Sequence, residues 1–112
     1  MFLSISLGAF GAHGLEGKIS ERLIANWKTG AHYHMIHAIA LVLVGLLIDR
    51  IGSTSLIHTG GWLLVAGILL FSGSLYLMAL TGVTKLGAIT PIGGFSFLAG
   101  WVCIAIAVAK QL

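Results

Sequence analysis

Charge is the scarcest commodity in this chain. Among 112 residues there are six basic and three acidic ones, 8 % charged, for a net charge of +3. A soluble domain needs roughly a quarter of its residues charged to stay solvated, so this balance excludes one and requires lipid. There is no basic run of the kind that nucleic-acid binding needs. A single cysteine, Cys103, excludes an internal disulfide and leaves the redox compartment open. The only proline is Pro91. Also missing are a nucleophile–base–orienter set, a phosphate loop and a zinc-protease signature. Without an acid–base pair or a nucleophile, a conventional enzyme is the least favoured reading.

What is present is apolar sequence, 58 % of the chain. After Pro91 an uncharged run reaches Ala109, long enough to cross a bilayer core about 30 Å thick as one helix. Ala31–Ile48 and Gly60–Leu80 read the same way, and a shorter run fills Met1–Ala12. The expected fold is all-α: an integral membrane, antiparallel, compact four-helix bundle whose first helix is short. The chain reads as one transmembrane domain, 1–112, with spans at 1–12, 31–48, 60–80 and 90–110. Met1–Ala12 is only about 18 Å long as a helix. A signal-peptide core would want a basic n-region, which is absent. The stretch Gly8-Ala9-Phe10-Gly11-Ala12 suits close packing on a neighbour, so it reads as a genuine, shortened helix.

Residues 13–30 hold Glu16, Lys18, Glu21, Arg22 and Lys28, most of the charge. Ser20 suits a cap for a helix starting at Glu21. Leu23, Ile24 and Trp27 then share one side. Either residues 20–29 form an interfacial amphipathic helix with Trp27 in the head-group layer, or the second span starts early. Asp49-Arg50-Ile51-Gly52-Ser53 marks the next turn. Thr90-Pro91 resembles a helix start, with proline where its missing N–H costs nothing. Lys18, Arg22, Lys28 and Lys85 lie on one side of the membrane, Arg50 and Lys110 on the other. This bias places the first and third loops in the cytoplasm and both termini outside, in a bacterial cytoplasmic membrane.

Small residues recur in sevens: Ala31, Ala38 and Gly45 in the second span, and Gly60, Gly67 and Ser74 in the third. In the fourth, Gly93, Ser96, Gly100, Cys103 and Ala107 alternate three and four apart. In lipid, helices associate through close backbone approach, which small residues allow. With Gly8 and Gly11 of the first helix, these are the expected packing positions: Gly8, Gly11, Ala38, Gly45, Gly67, Ser74, Gly93 and Gly100. Ser72, Ser74 and Tyr76 suit bonds across helices.

The chemically suggestive cluster is His32-Tyr33-His34-Met35-Ile36-His37. His34 falls on the small seam and His37 lies one turn on; His32 points elsewhere. A metal would need His34 and His37 plus a ligand such as His13, with no carboxylate or thiolate at hand in the spans. The alternative is that these histidines hydrogen-bond neighbouring helices, since buried polar groups in membranes need partners whatever their role. The residues imply no cofactor.

Five motifs then appear in order: Leu7-Gly8-Ala9-Phe10-Gly11-Ala12-His13-Gly14-Leu15, Trp27-Lys28-Thr29-Gly30, Tyr33-His34-Met35-Ile36-His37-Ala38, Phe71-Ser72-Gly73-Ser74-Leu75-Tyr76 and Gly87-Ala88-Ile89-Thr90-Pro91-Ile92-Gly93-Gly94. Together they resemble the bacterial domain-of-unknown-function family 423, related to the eukaryotic transmembrane protein 256. The resemblance implies a four-helix integral membrane protein whose motifs include His13, His34 and His37, and implies no established activity. Three functions are weighed. The first is a structural or assembly protein, whose partners are the lipid bilayer and a homo-oligomer or membrane-protein partner. The second is a transporter or channel component formed by an oligomer, with a polar path past Ser74, Thr90 and Ser96. The third is histidine-dependent metal or cofactor binding.

Overall fold

The computed structural model describes residues 1–111. Four helices account for nearly all of them: α1 (Phe2–His13), α2 (Glu21–Ile51), α3 (Ser55–Thr81) and α4 (Thr90–Ala109). A 3-10 turn, Thr84–Ala88, leads into α4. The last three helices are long and apolar enough to cross a membrane; α1 is apolar but shorter.

Local chemistry sets the ends. Ser20 Oγ accepts from the Leu23 N–H (3.3 Å), and Thr54 Oγ1 from the Ile57 N–H (3.3 Å), capping α2 and α3. Gly52 (φ 92°) and Gly82 (φ 74°) close α2 and α3 in backbone conformations that glycine alone adopts without strain. Pro91 sits in the first turn of α4. Because α2 is continuous from Glu21, residues 21–29 are its opening turns and not a separate interfacial helix. Trp27 is 2 % exposed, enclosed by Phe10 of α1 and Tyr76 of α3.

Neighbouring helices run antiparallel. Gly11 faces Trp27 and Gly8 faces Ala31; Gly30 faces Ser72–Tyr76 while Val44 faces Gly61. On α3 and α4, Gly60 meets Gly100, Gly67 meets Phe97, and Gly93 meets Phe71. The bundle is not compact but a slab, with principal extents of 50 × 26 × 15 Å. One core, around Ala40, Val44, Ile57, Leu64, Phe97 and Ile104, joins α2, α3 and α4. A smaller one, around Leu15, Trp27 and Ala79, closes the end where the α1–α2 loop lies.

α3 is interrupted by a π-helical turn, Ile68–Ser72. It occurs where α3 is pressed from two sides. The Phe71 backbone lies against Gly93, and Ser72 reaches Gly30 of α2. Such single-turn π segments locally re-aim side chains within an α-helix.

The buried face of α2 changes along its length. Ile24, Trp27 and Ala31 are buried near its start, His37, Ala40 and Val44 further on. Ala38 is half-buried and Gly45 exposed, with nothing within 4 Å of where its Cβ would stand. The seam expected through Ala31, Ala38 and Gly45 is therefore open at Gly45. α1 runs from Gly11 opposite Trp27 towards Gly8 opposite Ala31. At 1.5 Å per residue its six remaining residues, 2–7, cover α2 only to about His37.

Candidate functional site

Most polar side chains of the interior lie at the contacts among α2, α3 and α4, with Trp27 beside them; Ser4 of α1, also buried, donates to the Met1 carbonyl instead. Those at the contacts are placed by helical spacing. Trp27, Gly30, His34 and His37 follow one another three or four residues apart on α2, and Ser72 and Tyr76 do so on α3.

His37 is the more buried of the two inward histidines, 4 % exposed. Its Nδ1 lies 2.7 Å from the carbonyl oxygen of Tyr33, which can only accept. Nδ1 therefore carries the proton. Its Nε2 lies 3.0 Å from Trp101 Nε1, which can only donate, so Nε2 is the acceptor. One neutral tautomer satisfies both contacts and ties α2 to α4. The imidazole also stacks on Phe97, with ring centroids 3.6 Å apart. Both nitrogens are thus engaged, and a metal would have to displace the Trp101 bond to reach one.

His34 points to a different neighbour. Its Nδ1 is 3.0 Å from Tyr76 Oη on α3. The Tyr76 ring packs on Trp27 at 4.6 Å. The Trp27 indole N–H donates to the carbonyl of Leu7 at 2.7 Å, which ties α1 to α2. Gly11 faces the same indole closely enough that a Cβ there would overlap it.

The hydroxyls complete these contacts. Ser72 donates to the Gly30 carbonyl at 2.7 Å, joining α3 to α2, and Ser96 to the Leu63 carbonyl at 2.7 Å, joining α4 to α3. Ser74 donates to the Phe71 carbonyl at 2.9 Å. Its single proton is then used, so Thr90 is the donor in the 2.6 Å contact between their hydroxyls. Tyr33, Phe71 and Phe97 pack as a cluster alongside, Tyr33 to Phe71 at 4.8 Å and Phe71 to Phe97 at 5.5 Å. Among the described residues no buried side-chain nitrogen or oxygen lacks a partner.

The structure does not bring the three candidate metal ligands together. His13 is exposed at the end of α1, while His34 faces α3 and His37 faces α4. Among the described residues no group of three or more His, Cys, Asp or Glu is placed to hold a metal ion. His32 is exposed beside Tyr33, and His58 is exposed with its Nε2 2.6 Å from Ser53 Oγ. Of the packing positions, Gly8, Gly11, Gly67, Gly93 and Gly100 face neighbouring helices, Ser74 is buried against Thr90, and Gly45 faces open space.

Sequence reasoning missed two ties, Trp27 to Leu7 and Trp101 to His37, and expected a bond across helices from Ser72 without naming Gly30 as its partner. For Trp27 a signal existed. It stands four residues before Ala31 and seven before His34, on the very seam those residues mark. Trp101 carried no comparable signal, because α4 is apolar all round.

Comparison with known proteins follows the same lines. The model of a family described as "Protein of unknown function (DUF423)" matches residues 7–94. The chain is 50 % identical over 110 residues to the UPF0382 membrane protein YwdK of Bacillus subtilis (strain 168), covering 98 % of this chain and 89 % of that one. It is 47 % identical over 109 residues to the UPF0382 membrane protein SH2409 of Staphylococcus haemolyticus (strain JCSC1435), covering 96 % and 87 %. No solved structure matches.

Proposed function

Because this chain belongs to the DUF423 family of membrane proteins of unknown function, we propose a role that its interior supports: a structural or assembly element of the membrane, and not an enzyme. Its bundle packs against itself or against a larger membrane complex. One observation carries this reading. The side chains that could do chemistry in the spans are mostly used to join helices: His37 through Nε2, with Nδ1 held by its own helix, and Ser72, Ser96 and Thr90 with their hydroxyl protons. In lipid, such bonds and close backbone contact are what hold helices together.

The same reading places the chain in the bacterial cytoplasmic membrane with both termini outside. Leu15 and Ile19 of the first loop pack with Ala79 near the third, so Lys18, Arg22, Lys28 and Lys85 share one end of the slab. Basic residues favour the cytoplasmic side. Labelling of cysteine at position 18, but not at 53, from outside intact cells would contradict this orientation.

The test of the role is capture of the tagged full chain from its own membranes into lipid nanodiscs, followed by native mass spectrometry. A homo-oligomer or a stoichiometric membrane-protein partner is expected. A solitary monomer, obtained without passing through detergent, contradicts the reading.

A further inference from the structure

α2 and α4 are joined differently from the other helix pairs. Gly11 lets α1 close on α2, Gly30 lets α2 close on α3, and Gly93 and Gly100 let α4 close on α3. Among the described residues no glycine brings α2 and α4 together. Side chains span the gap instead. Ala40 and Val44 share a core with Phe97 and Ile104, the His37 ring stacks on Phe97, and Trp101 Nε1 donates to His37 Nε2 at 3.0 Å. Among the described residues that is the one side-chain hydrogen bond between these two helices. α3, by contrast, is tied to α2 through Ser72–Gly30 and His34–Tyr76, and to α4 through Ser96–Leu63 and Ser74–Thr90.

The α2–α4 bond exists only while His37 is neutral. Nδ1 carries the proton given to the Tyr33 carbonyl, so a second proton can only settle on Nε2. There it sets one N–H against another, and the indole nitrogen has no lone pair to offer in exchange. Nothing around the ring compensates. On α2, Tyr33 presents a carbonyl already in use and its own ring. On α4, Phe97 and Trp101 carry no charge, and Cys103 faces Gly60 of α3. On α3, Tyr76 faces His34. From α1, the Met1 ammonium bears on His34 and not on His37. His34 also responds differently to acid. The Tyr76 hydroxyl both donates and accepts, so it can turn its own proton away and receive one from a charged His34.

We propose that His37 is a proton-sensitive latch between α2 and α4: a proton taken up from water at Nε2 releases Trp101 and lets α4 part from α2 while α3 holds both. The closed pair keeps His37 neutral, whereas the open pair frees it to titrate near the ordinary histidine value of about 6.5. Each pH unit below that value then shifts the equilibrium up to about tenfold towards the open form.

The experiment is titration of the full chain with SDS in mixed micelles at pH about 7.5 and about 5, with helix separation read by paired spin labels in a Cys103→Ser background. One pair, Leu43→Cys with Val102→Cys, reports α2 against α4; the other, Trp62→Cys with Val102→Cys, reports α3 against α4. All three positions are exposed. Acidification should favour α2–α4 separation by up to about thirtyfold in the equilibrium constant, and at the lower pH this pair should part before the α3–α4 pair. His37→Gln offers the same donor and acceptor but takes no proton, and should abolish the shift. Trp101→Phe, which leaves Nε2 no bond to lose, should ease α2–α4 separation at neutral pH and shrink the shift. His34→Gln should keep it. A wild type indifferent to pH, a shift that survives in His37→Gln or vanishes in His34→Gln, or two label pairs that part together at the lower pH would each overturn the latch. None of these results bears on whether the chain is found with a partner or a second copy, so the assembly role stands or falls separately.

Discussion

The sharpest consequence of the packing concerns Gly93. A Cβ built there would stand 2.7 Å from Phe71 Cα and 2.8 Å from the Leu70 carbonyl carbon, and closer still to the Phe71 nitrogen. Carbon atoms pack at about 3.5–4.0 Å, and these are backbone atoms of a helix that cannot turn aside. Gly93→Ala must therefore push α4 away from α3 by about 1 Å, judged from that contact distance. Such overpacking costs about 1–3 kcal/mol. The same displacement stretches the Ser74–Thr90 and Ser96–Leu63 contacts, now 2.6 and 2.7 Å, beyond hydrogen-bonding distance, at about 0.6 kcal/mol each in a membrane interior. Alanine's better helix propensity returns up to about 1 kcal/mol. The net expectation is destabilisation by about 1–3 kcal/mol, combining these terms. Gly45→Ala is the control, since it meets nothing and should leave the monomer as stable or add up to about 1 kcal/mol. Unfolding by SDS titration in mixed micelles, followed by circular dichroism, measures both. Equal stabilities for Gly93→Ala and Gly45→Ala would refute the seam between α3 and α4.

The Trp27 indole bond to Leu7 predicts a local effect. Trp27→Phe keeps the ring against Tyr76 but drops the N–H, so hydrogen exchange should quicken in α1 (Phe2–His13) and not in α4. Uniform change, or none, would contradict the tie. The His37–Trp101 bond is tested by a double-mutant cycle with His37→Ala and Trp101→Phe. A coupling of about 0.6 kcal/mol, and at most about 1.7, is expected for a membrane hydrogen bond; additive effects would show the contact to be idle. Ser72→Ala should destabilise by a similar amount, about 0.6 kcal/mol, while Ser53→Ala, on the exposed loop beside His58, should be silent in the same unfolding assay.

Much of this architecture was legible in the sequence because lipid simplifies it. Uncharged runs of span length allow only a helix, and Ser20, the turn at Asp49–Ser53 and Thr90-Pro91 marked ends through their backbone preferences, whereas the Thr54 cap that starts α3 at Ser55, ahead of the expected 60, went unread. The α3–α4 seam was also legible. Gly60, Gly67, Gly93 and Gly100 are spaced in sevens on helices that stay side by side, so the spacing survives in three dimensions. The α2 seam was legible only as far as α1 reaches. Beyond that point a different pair of helices chooses the buried face, and the repeat Ala31–Ala38–Gly45 loses its meaning inside the chain. The slab shape was hidden for the same reason, since small residues show that a face can approach a neighbour without saying which. The histidines divide likewise. That His34 and His37 face inward follows from their spacing. That one meets Tyr76 and the other Trp101 depends on where α3 and α4 sit, which no local pattern in α2 encodes.

The central claim is that the interior histidines join helices and hold no ligand. It is tested most directly by native mass spectrometry, with metal analysis, of the wild-type protein beside a His34→Ala/His37→Ala double variant. The account predicts no metal or small molecule in wild type that the variant lacks, together with a lower unfolding midpoint for the variant. A bound mass or metal present in wild type and absent from the double variant would contradict it.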